Sequence, residues 1–318
     1  MNALPPEALT AEIQRQSAQP ASPALQALQE AVLTQYGDTV QAILFYGSCL
    51  RSGDALDGLV DLYVVVESYR TVYRRRWLRL GNALLPPNVF YLEVPFAERL
   101  VRAKYAVLSL NDLRRGVRRW FQSYLWGRFA QPTGLLYAHD EAVAQQIVQA
   151  LVQAVMTFVD RTLPLVPLDF DAAELWQTGL AHSYRTELRA ERPERTRQLL
   201  ASSRDYYEQV TRAALAAKSS VVSVIDGDGF CRYYADITGR ERRRCRLAWR
   251  IRQVQGKLLS LLRLMKAAFT FRGGLDYILW KLERHSGVKI ELTPRQRRHP
   301  LLFGWSALWR LYRQGMFR

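Results

Sequence analysis

Residues 43–67 read ILFYGSCLRSGDALDGLVDLYVVVE. Ile43 to Tyr46 is a short apolar run, and Gly47-Ser48 breaks it. A polar, glycine-containing connection then leads to Asp61, which opens a second apolar run, Leu62-Tyr63-Val64-Val65-Val66. Both runs read as buried strands. A glycine between them lets backbone N–H groups approach a triphosphate with no Cβ in the way. The Ser48 hydroxyl can donate to a phosphate oxygen. An aspartate at the mouth of a strand can hold Mg2+ against that phosphate. A plain β-hairpin with a solvent-facing aspartate has the same outline, so the stretch leaves both readings open.

Bulk composition narrows the choice. With 318 residues, 49% hydrophobic and 23% charged, the chain describes two or three globular domains rather than a disordered protein. Cys49, Cys231 and Cys245 have no CxxC spacing and an odd count. No disulfide framework or cysteine zinc site follows from them, which fits a reducing compartment. His139, His182, His285 and His299 are scattered and read as ordinary residues. Residues 1–20 lack the apolar core of a secretory signal. No uninterrupted apolar run approaches the ~20 residues of a bilayer span. The charge is unevenly spread: from Gly239 to Arg318 the chain carries 20 Lys and Arg against four acids, a net of +16, equal to the net of the whole chain. Such a segment seeks a polyanion, either nucleic acid or an anionic membrane.

Taken in order, residues 1–22 read as a weakly ordered lead-in, because Pro5, Pro6, Pro20 and Pro23 argue against one long helix. Ser22-Pro23 starts a helix that ends near Gly37. Tyr69 to Leu80 reads as a helix whose Arg74, Arg75, Arg76 and Arg79 form a solvated face, favoured over a substrate-binding role. Val89 to Val94 is a strand. Its Glu93 either completes a metal site or faces solvent on an edge strand. Ser109 caps a helix carrying Leu113, Val117, Trp120, Phe121 and Tyr124, closed by Gly127 and Pro132. Residues 141–163, 172–180 and 193–217 are helical, with 182–189 turn-like between them. A strand-like run around Val222 precedes Asp226-Gly227-Asp228-Gly229, a turn rather than a calcium loop, since Ile237 stands where the closing glutamate would be. In the basic segment, Leu258, Leu261, Leu262 and Met265 share a helix face rimmed by Lys257, Arg263 and Lys266. Further on, Leu301, Trp305, Leu308, Trp309, Tyr312 and Met316 share another, flanked by Arg310, Arg313 and Arg318. Tryptophans beside arginines suit the headgroup boundary of a bilayer. The same face could dock on the protein's own core. Nucleic acid is the less favoured partner, because single-stranded RNA is usually met by aromatics on strands or loops.

The residues also carry a resemblance. The chain resembles the mitochondrial-type phosphatidate cytidylyltransferases, the translocator assembly and maintenance family. Tyr46-Gly47-Ser48 is similar to that family's Y-G-S-G, and Asp61-Leu62 to its aspartate followed by a large apolar residue. The most specific match is Lys104, Tyr105, Val107, Ser109, Trp120, Tyr124, Gly127, Arg128 and Pro132, in the family's order. Gly179-Leu180 and Ser183-Tyr184 through Arg189 resemble a later G-L-S-Y-S-G-D-F-R, with two residues inserted. The match covers roughly residues 40–217. Three departures stand out. Cys49 replaces the last glycine of Y-G-S-G, narrowing backbone freedom there. A basic residue expected near Leu56 is absent. Glu187 stands where the family has Asp. Leu59 holds a position that is acidic in the wider nucleotidyltransferase superfamily but apolar in this branch.

The resemblance implies an α+β protein: a nucleotidyltransferase-like mixed sheet with flanking helices, a mostly helical, winged-helix-like domain, and a basic amphipathic C-terminal tail. The expected limits are a helical lead-in over 1–36, a catalytic domain over 37–137, the helical domain over 138–238 and a membrane-binding tail over 239–318. The implied reaction is CTP plus phosphatidate giving CDP-diacylglycerol and diphosphate. Asp61 would hold Mg2+, with Glu93 or Asp57 as second ligands. Tyr46, Gly47, Ser48 and Tyr105 would line the nucleotide site. Lys104 and Arg128 would neutralise charge on the phosphates. Leu301, Trp305, Leu308, Trp309, Arg310, Tyr312 and Arg313 would hold the protein peripherally on the cytoplasmic face of a membrane. Two alternatives remain: a nucleotidyltransferase acting on RNA or a small hydroxylated molecule, and a non-catalytic membrane-associated relative.

Overall fold

The apolar runs on either side of Gly47 are neighbouring strands. The computed structural model describes residues 7–53, 55–56, 58–187, 193–218, 222–227 and 230–270. In chain order the first elements are α1 (Glu7–Ser17), α2 (Pro23–Tyr36), β1 (Val40–Tyr46), α3 (Ser48–Ser52), β2 (Leu59–Val66), α4 (Tyr69–Val72) and α5 (Arg76–Leu84). Then come β3 (Asn88–Phe96), β4 (Arg99–Ser109), α6 (Leu110–Arg119), α7 (Trp126–Phe129), β5 (Thr133–Ala138) and α8 (Glu141–Thr162). The remainder comprises β6 (Asp169–Phe170), α9 (Ala172–Tyr184), α10 (Pro193–Ser202), α11 (Arg204–Ala216), β7 (Val222–Gly227), β8 (Phe230–Ala235) and α12 (Gly239–Thr270). Asp57 and the helix expected within 301–318 lie outside the described residues.

The first five strands form one mixed sheet in the order β3-β4-β2-β1-β5. Only β2 and β4 run parallel; the other neighbours are antiparallel. Apolar residues at successive positions bury both faces of its inner strands. On one face Ile43, Phe45, Leu62, Val64, Tyr105 and Val107 pack against Ala24, Leu25, Leu28 and Val32 of α2. On the other, Leu44, Tyr63, Val65, Ala106 and Leu108 meet Leu113 and Val117 of α6 and the apolar side of α8. By length and composition α8 could cross a membrane, but here most of it is buried as the central core helix. Helices α9, α10 and α11 with the small sheet β6-β8-β7 form the mostly helical part. Its β7–β8 hairpin closes at Gly227 opposite Phe230, where a turn is expected.

Several local expectations are corrected. The lead-in contains α1, whose Leu9 and Ile13 lie one turn apart and are buried against α8 and α11. The prolines that rule out one long helix leave room for two, and Ser22 caps the second by accepting from the Leu25 N–H. The helix expected over Tyr69 to Leu80 is two helices. At Tyr73 the backbone turns extended and the ring is buried beside Tyr69 and Phe90, with Asn82 donating to its hydroxyl. The helix expected through Tyr124 stops at Arg119, where Trp120 becomes extended. The turn-like segment expected from His182 instead begins inside α9, which continues to Tyr184.

α12 departs most from the usual amphipathic arrangement. Leu258, Leu261, Leu262 and Met265 face outward and are exposed, as are Leu247, Ile251 and Val254. The inward stripe is Trp249, Arg252, Gly256, Arg263 and Lys266, spaced at three, four, seven and three residues, which keeps one helix face. The Trp249 indole donates to the Arg161 carbonyl at 2.8 Å, and Arg252 donates to the Phe121 carbonyl at 2.8 Å while lying over the Phe121 ring. Lys266 reaches the carbonyls of Gly81, Leu85 and Pro87 at the end of α5, where a cation meets the negative end of a helix.

The seat of α12 gives stability a pH dependence. The His182 ring lies 5.3 Å from that of Trp249, and its buried Nδ1 has no hydrogen-bond partner among the described residues. Burial, and then Arg185, hold its imidazole below the usual histidine range. The folded state therefore keeps this ring neutral where the unfolded chain protonates, at about pH 6.5. Its contribution is fully present above that pH and is lost as pH falls below it. Urea unfolding midpoints should drop more between pH 7.5 and 5.5 for the native sequence than for His182→Phe. An equal drop in both would remove His182 from the account.

Candidate active site

The pairing registers set a transverse row of side chains on the face opposite α2. Thr133 lies opposite Tyr46, Tyr46 opposite Asp61, Asp61 opposite Lys104 and Lys104 opposite Tyr91. Directly opposed residues share a face, so five strands present these groups side by side. Lys104 Nζ is 3.5 Å from Asp61 Oδ1, with the side chains 38% and 28% exposed. An ion pair this open contributes on the order of 0–1 kcal/mol. Each partner is therefore free to exchange the other for a ligand at little cost.

Gly47 makes the entry to this row possible. Its φ of +94° is a conformation that L side chains rarely adopt, and an added Cβ would stand 3.2 Å from Asp61 Oδ2. The glycine thus leaves the second carboxylate oxygen open on the side away from Lys104. Ser48, the next residue, is exposed. Cys49 does not disturb this arrangement. It sits inside the short helix α3, where no special backbone freedom is needed, and its thiol points into the opposite core, donating to the Leu59 carbonyl at 3.4 Å.

Arg128 reaches the same face from α7. Trp126 and Phe129 are completely buried and anchor that four-residue helix, which turns Arg128 toward the sheet. Its Nη1 donates to the hydroxyls of Tyr46 and Tyr63, both at 3.2 Å, and its Nη2 to Glu187 Oε1 at 3.2 Å. The guanidinium also lies over the rings of Tyr46 and Tyr124, at 5.3 and 4.7 Å from their centroids. Burial raises the Tyr46 phenol well above its usual range despite nearby Arg128. At Tyr124 burial pushes the same way, but the guanidiniums of Arg128 and Arg263 outweigh it and hold the phenol below the usual range. The set is an aromatic cage around the Arg128 guanidinium, which Glu187 pairs from the other side.

Two expected site residues lie elsewhere. Tyr105 follows Lys104 and so points to the other face. It is buried there against Phe90, hydrogen-bonded to the Tyr36 hydroxyl at 3.0 Å. Glu93 shares the face of Asp61 but stands two strands away and one row further along, opposite Arg102. Strand spacing puts it more than about 10 Å from Asp61 between Cα atoms. Its carboxylate is held by Arg102 at 2.9 Å and by the Tyr91 hydroxyl at 2.6 Å. Leu59 lies in that same row, so the position that is acidic in the wider superfamily faces an arginine already paired. Among the described residues no three acidic, histidine or cysteine side chains converge. Asp61 alone, with an oxygen open beside Gly47, still fits Mg2+, which commonly takes one or two carboxylates and completes its shell with water and substrate phosphates. Glu187, Tyr63 and Tyr124 complete the cage without having been singled out for it from the sequence.

A family model described as phosphatidate cytidylyltransferase, mitochondrial, matches residues 83–228. The matched stretch contains Lys104, Tyr124, Arg128 and Glu187; Gly47 and Asp61 precede it. A comparison with curated proteins finds no match.

Proposed function

We propose, from the match of residues 83–228 to the mitochondrial phosphatidate cytidylyltransferase family, that the chain is a member of it and transfers a cytidylyl group from CTP to phosphatidate on a membrane surface. The observation that carries the proposal is the row Tyr46–Asp61–Lys104, opened by a glycine with positive φ and faced by Arg128. Asp61 is the residue that would hold Mg2+, whose charge offsets that of the CTP phosphates. Lys104 leaves its weak pair with Asp61 for a phosphate oxygen, and Ser48 donates to another. Arg128 keeps its fixed position and stabilises the charge that grows on the departing diphosphate.

The acceptor suits a site poor in carboxylates. A phosphate monoester carries about −1.5 to −2 charge at neutral pH, so its oxygen attacks the α-phosphorus with no base to remove a proton. The bond from that phosphorus to the bridging oxygen of the β-phosphate breaks, and diphosphate leaves. Two features support a membrane location. The 239–318 segment carries the whole net charge, and α12 turns a continuous apolar stripe outward, with Val254 73% and Leu258 57% exposed. An exposed apolar row beside basic residues suits a bilayer with anionic headgroups. Deleting residues 296–318 should reduce cosedimentation with phosphatidate-containing liposomes; unchanged pelleting would remove that segment as an anchor.

The deciding assay follows label from CTP, with Mg2+, phosphatidate vesicles and RNA present together. Label should enter the lipid fraction as a CDP-lipid. Label in RNA would overturn the choice of acceptor, and label in neither would favour a non-catalytic relative.

A further inference from the structure

α12 brings a third cation to the cage. It begins at Gly239, beyond the matched stretch, and its inward stripe passes over the loop that carries Glu187. The crossing is close: a Cβ on Gly256 would lie 2.6 Å from the Thr186 carbonyl oxygen. Two turns further on, the Arg263 guanidinium lies 4.1 Å from the centroid of Tyr124, the ring that also receives Arg128. Arg263 Nε donates to the Pro86 carbonyl at 3.0 Å and Nη2 to Gln122 Oε1 at 2.7 Å.

Charge separates this arginine from the other two cations. Lys104 pairs with Asp61 and Arg128 with Glu187. Among the described residues, Arg263 pairs with no carboxylate, and its partners there are neutral. Burial lowers its pKa, and an arginine remains protonated even so. Partners among the described residues engage two of its five N–H donors. The surroundings on α12 point to what the rest receive. Leu262 and Leu261, in the same turn, are exposed on the outer face with Leu258 and Met265. One helix therefore offers an apolar exterior and, directly behind it, an unneutralised cation inside the cage.

We propose that Arg263 binds the phosphate monoester of the lipid acceptor, so that the C-terminal helix completes the active site. The proposal rests on the cytidylyltransferase reading and adds a division of labour: Asp61, Lys104 and Arg128 hold the nucleotide, and Arg263 holds the headgroup that attacks it. Acyl chains then run along the apolar face of α12 while the phosphate turns inward past it. The match to the family does not include this residue.

The test compares the native sequence with Arg263→Gln and Arg263→Lys, using dioctanoyl phosphatidate so that liposome binding plays no part. For Arg263→Gln, the KM for phosphatidate should rise about 10- to 100-fold, the range for a lost hydrogen bond to a charged group. The KM for CTP should change less than about twofold. Arg263→Lys should recover part of the loss. A merely structural role would raise both constants together or melt the fold, which circular dichroism reports; either result overturns the proposal. A second measurement needs no turnover: calorimetric titration with dioctanoyl phosphatidate should weaken for Arg263→Gln, whereas titration with CTP and Mg2+ should not. If the native protein forms no CDP-lipid but the calorimetric difference persists, the cytidylyl reading fails and the phosphate site stands. Equal phosphatidate affinity in the native and Gln proteins would eliminate the site.

Discussion

Asp61→Asn lowers CDP-lipid formation by about 10³-fold or more, on the scale of losing a preorganised charged group at a phosphoryl-transfer centre. The substitution keeps size and shape and removes only the charge. Asp61 is more than a quarter exposed, and its pair with Lys104 is 3.5 Å long, so the fold loses at most about 1 kcal/mol. Initial rates and thermal unfolding of the same preparations separate the two effects. A variant with native unfolding and near-native rate would remove Asp61 as the metal-holding group. Because Asp61 precedes the matched stretch, this result bears on the sheet geometry independently of the family match.

Arg128→Lys is the second large effect, expected at about 10²- to 10³-fold in kcat/KM. Lysine retains the charge but not the planar fork that donates to Tyr46, Tyr63 and Glu187 at once. It also cannot lie flat between the Tyr46 and Tyr124 rings. The cage would then collapse around a mobile ammonium. Glu187→Gln, which keeps a hydrogen-bond acceptor for Nη2, should cost far less. If Arg128→Lys is as active as Glu187→Gln, charge alone suffices and the fixed guanidinium geometry has no role.

The sequence made much of this site legible, for physical reasons. Gly47 is visible because a side chain there would be strained at its φ and crowded at 3.2 Å from Asp61. Asp61 stands out as a carboxylate at the head of an otherwise apolar strand. The paired strand order was not legible, because register depends on long-range pairing that no local pattern encodes. Lys104 and Tyr105 are adjacent in the chain, yet the two-residue period of β4 sends them to opposite faces. Glu93 has the right residue type, but Arg102 lies directly opposite and holds it. α12 was hardest to read. Its apolar residues suggest the buried side, whereas the buried stripe holds two arginines, a lysine and a glycine. Those cations lie there against carbonyl oxygens and aromatic rings, a pattern set by partners more than 100 residues away.

The central claim is that the transverse row on the sheet receives the nucleotide. Crystals of the protein soaked with CTP and magnesium test it most directly. The account predicts triphosphate density between Gly47 and Lys104, with an Asp61 oxygen turned toward a cation and Arg128 within hydrogen-bonding distance of a phosphate. Nucleotide bound anywhere else, with the Asp61–Lys104 pair undisturbed, would contradict it.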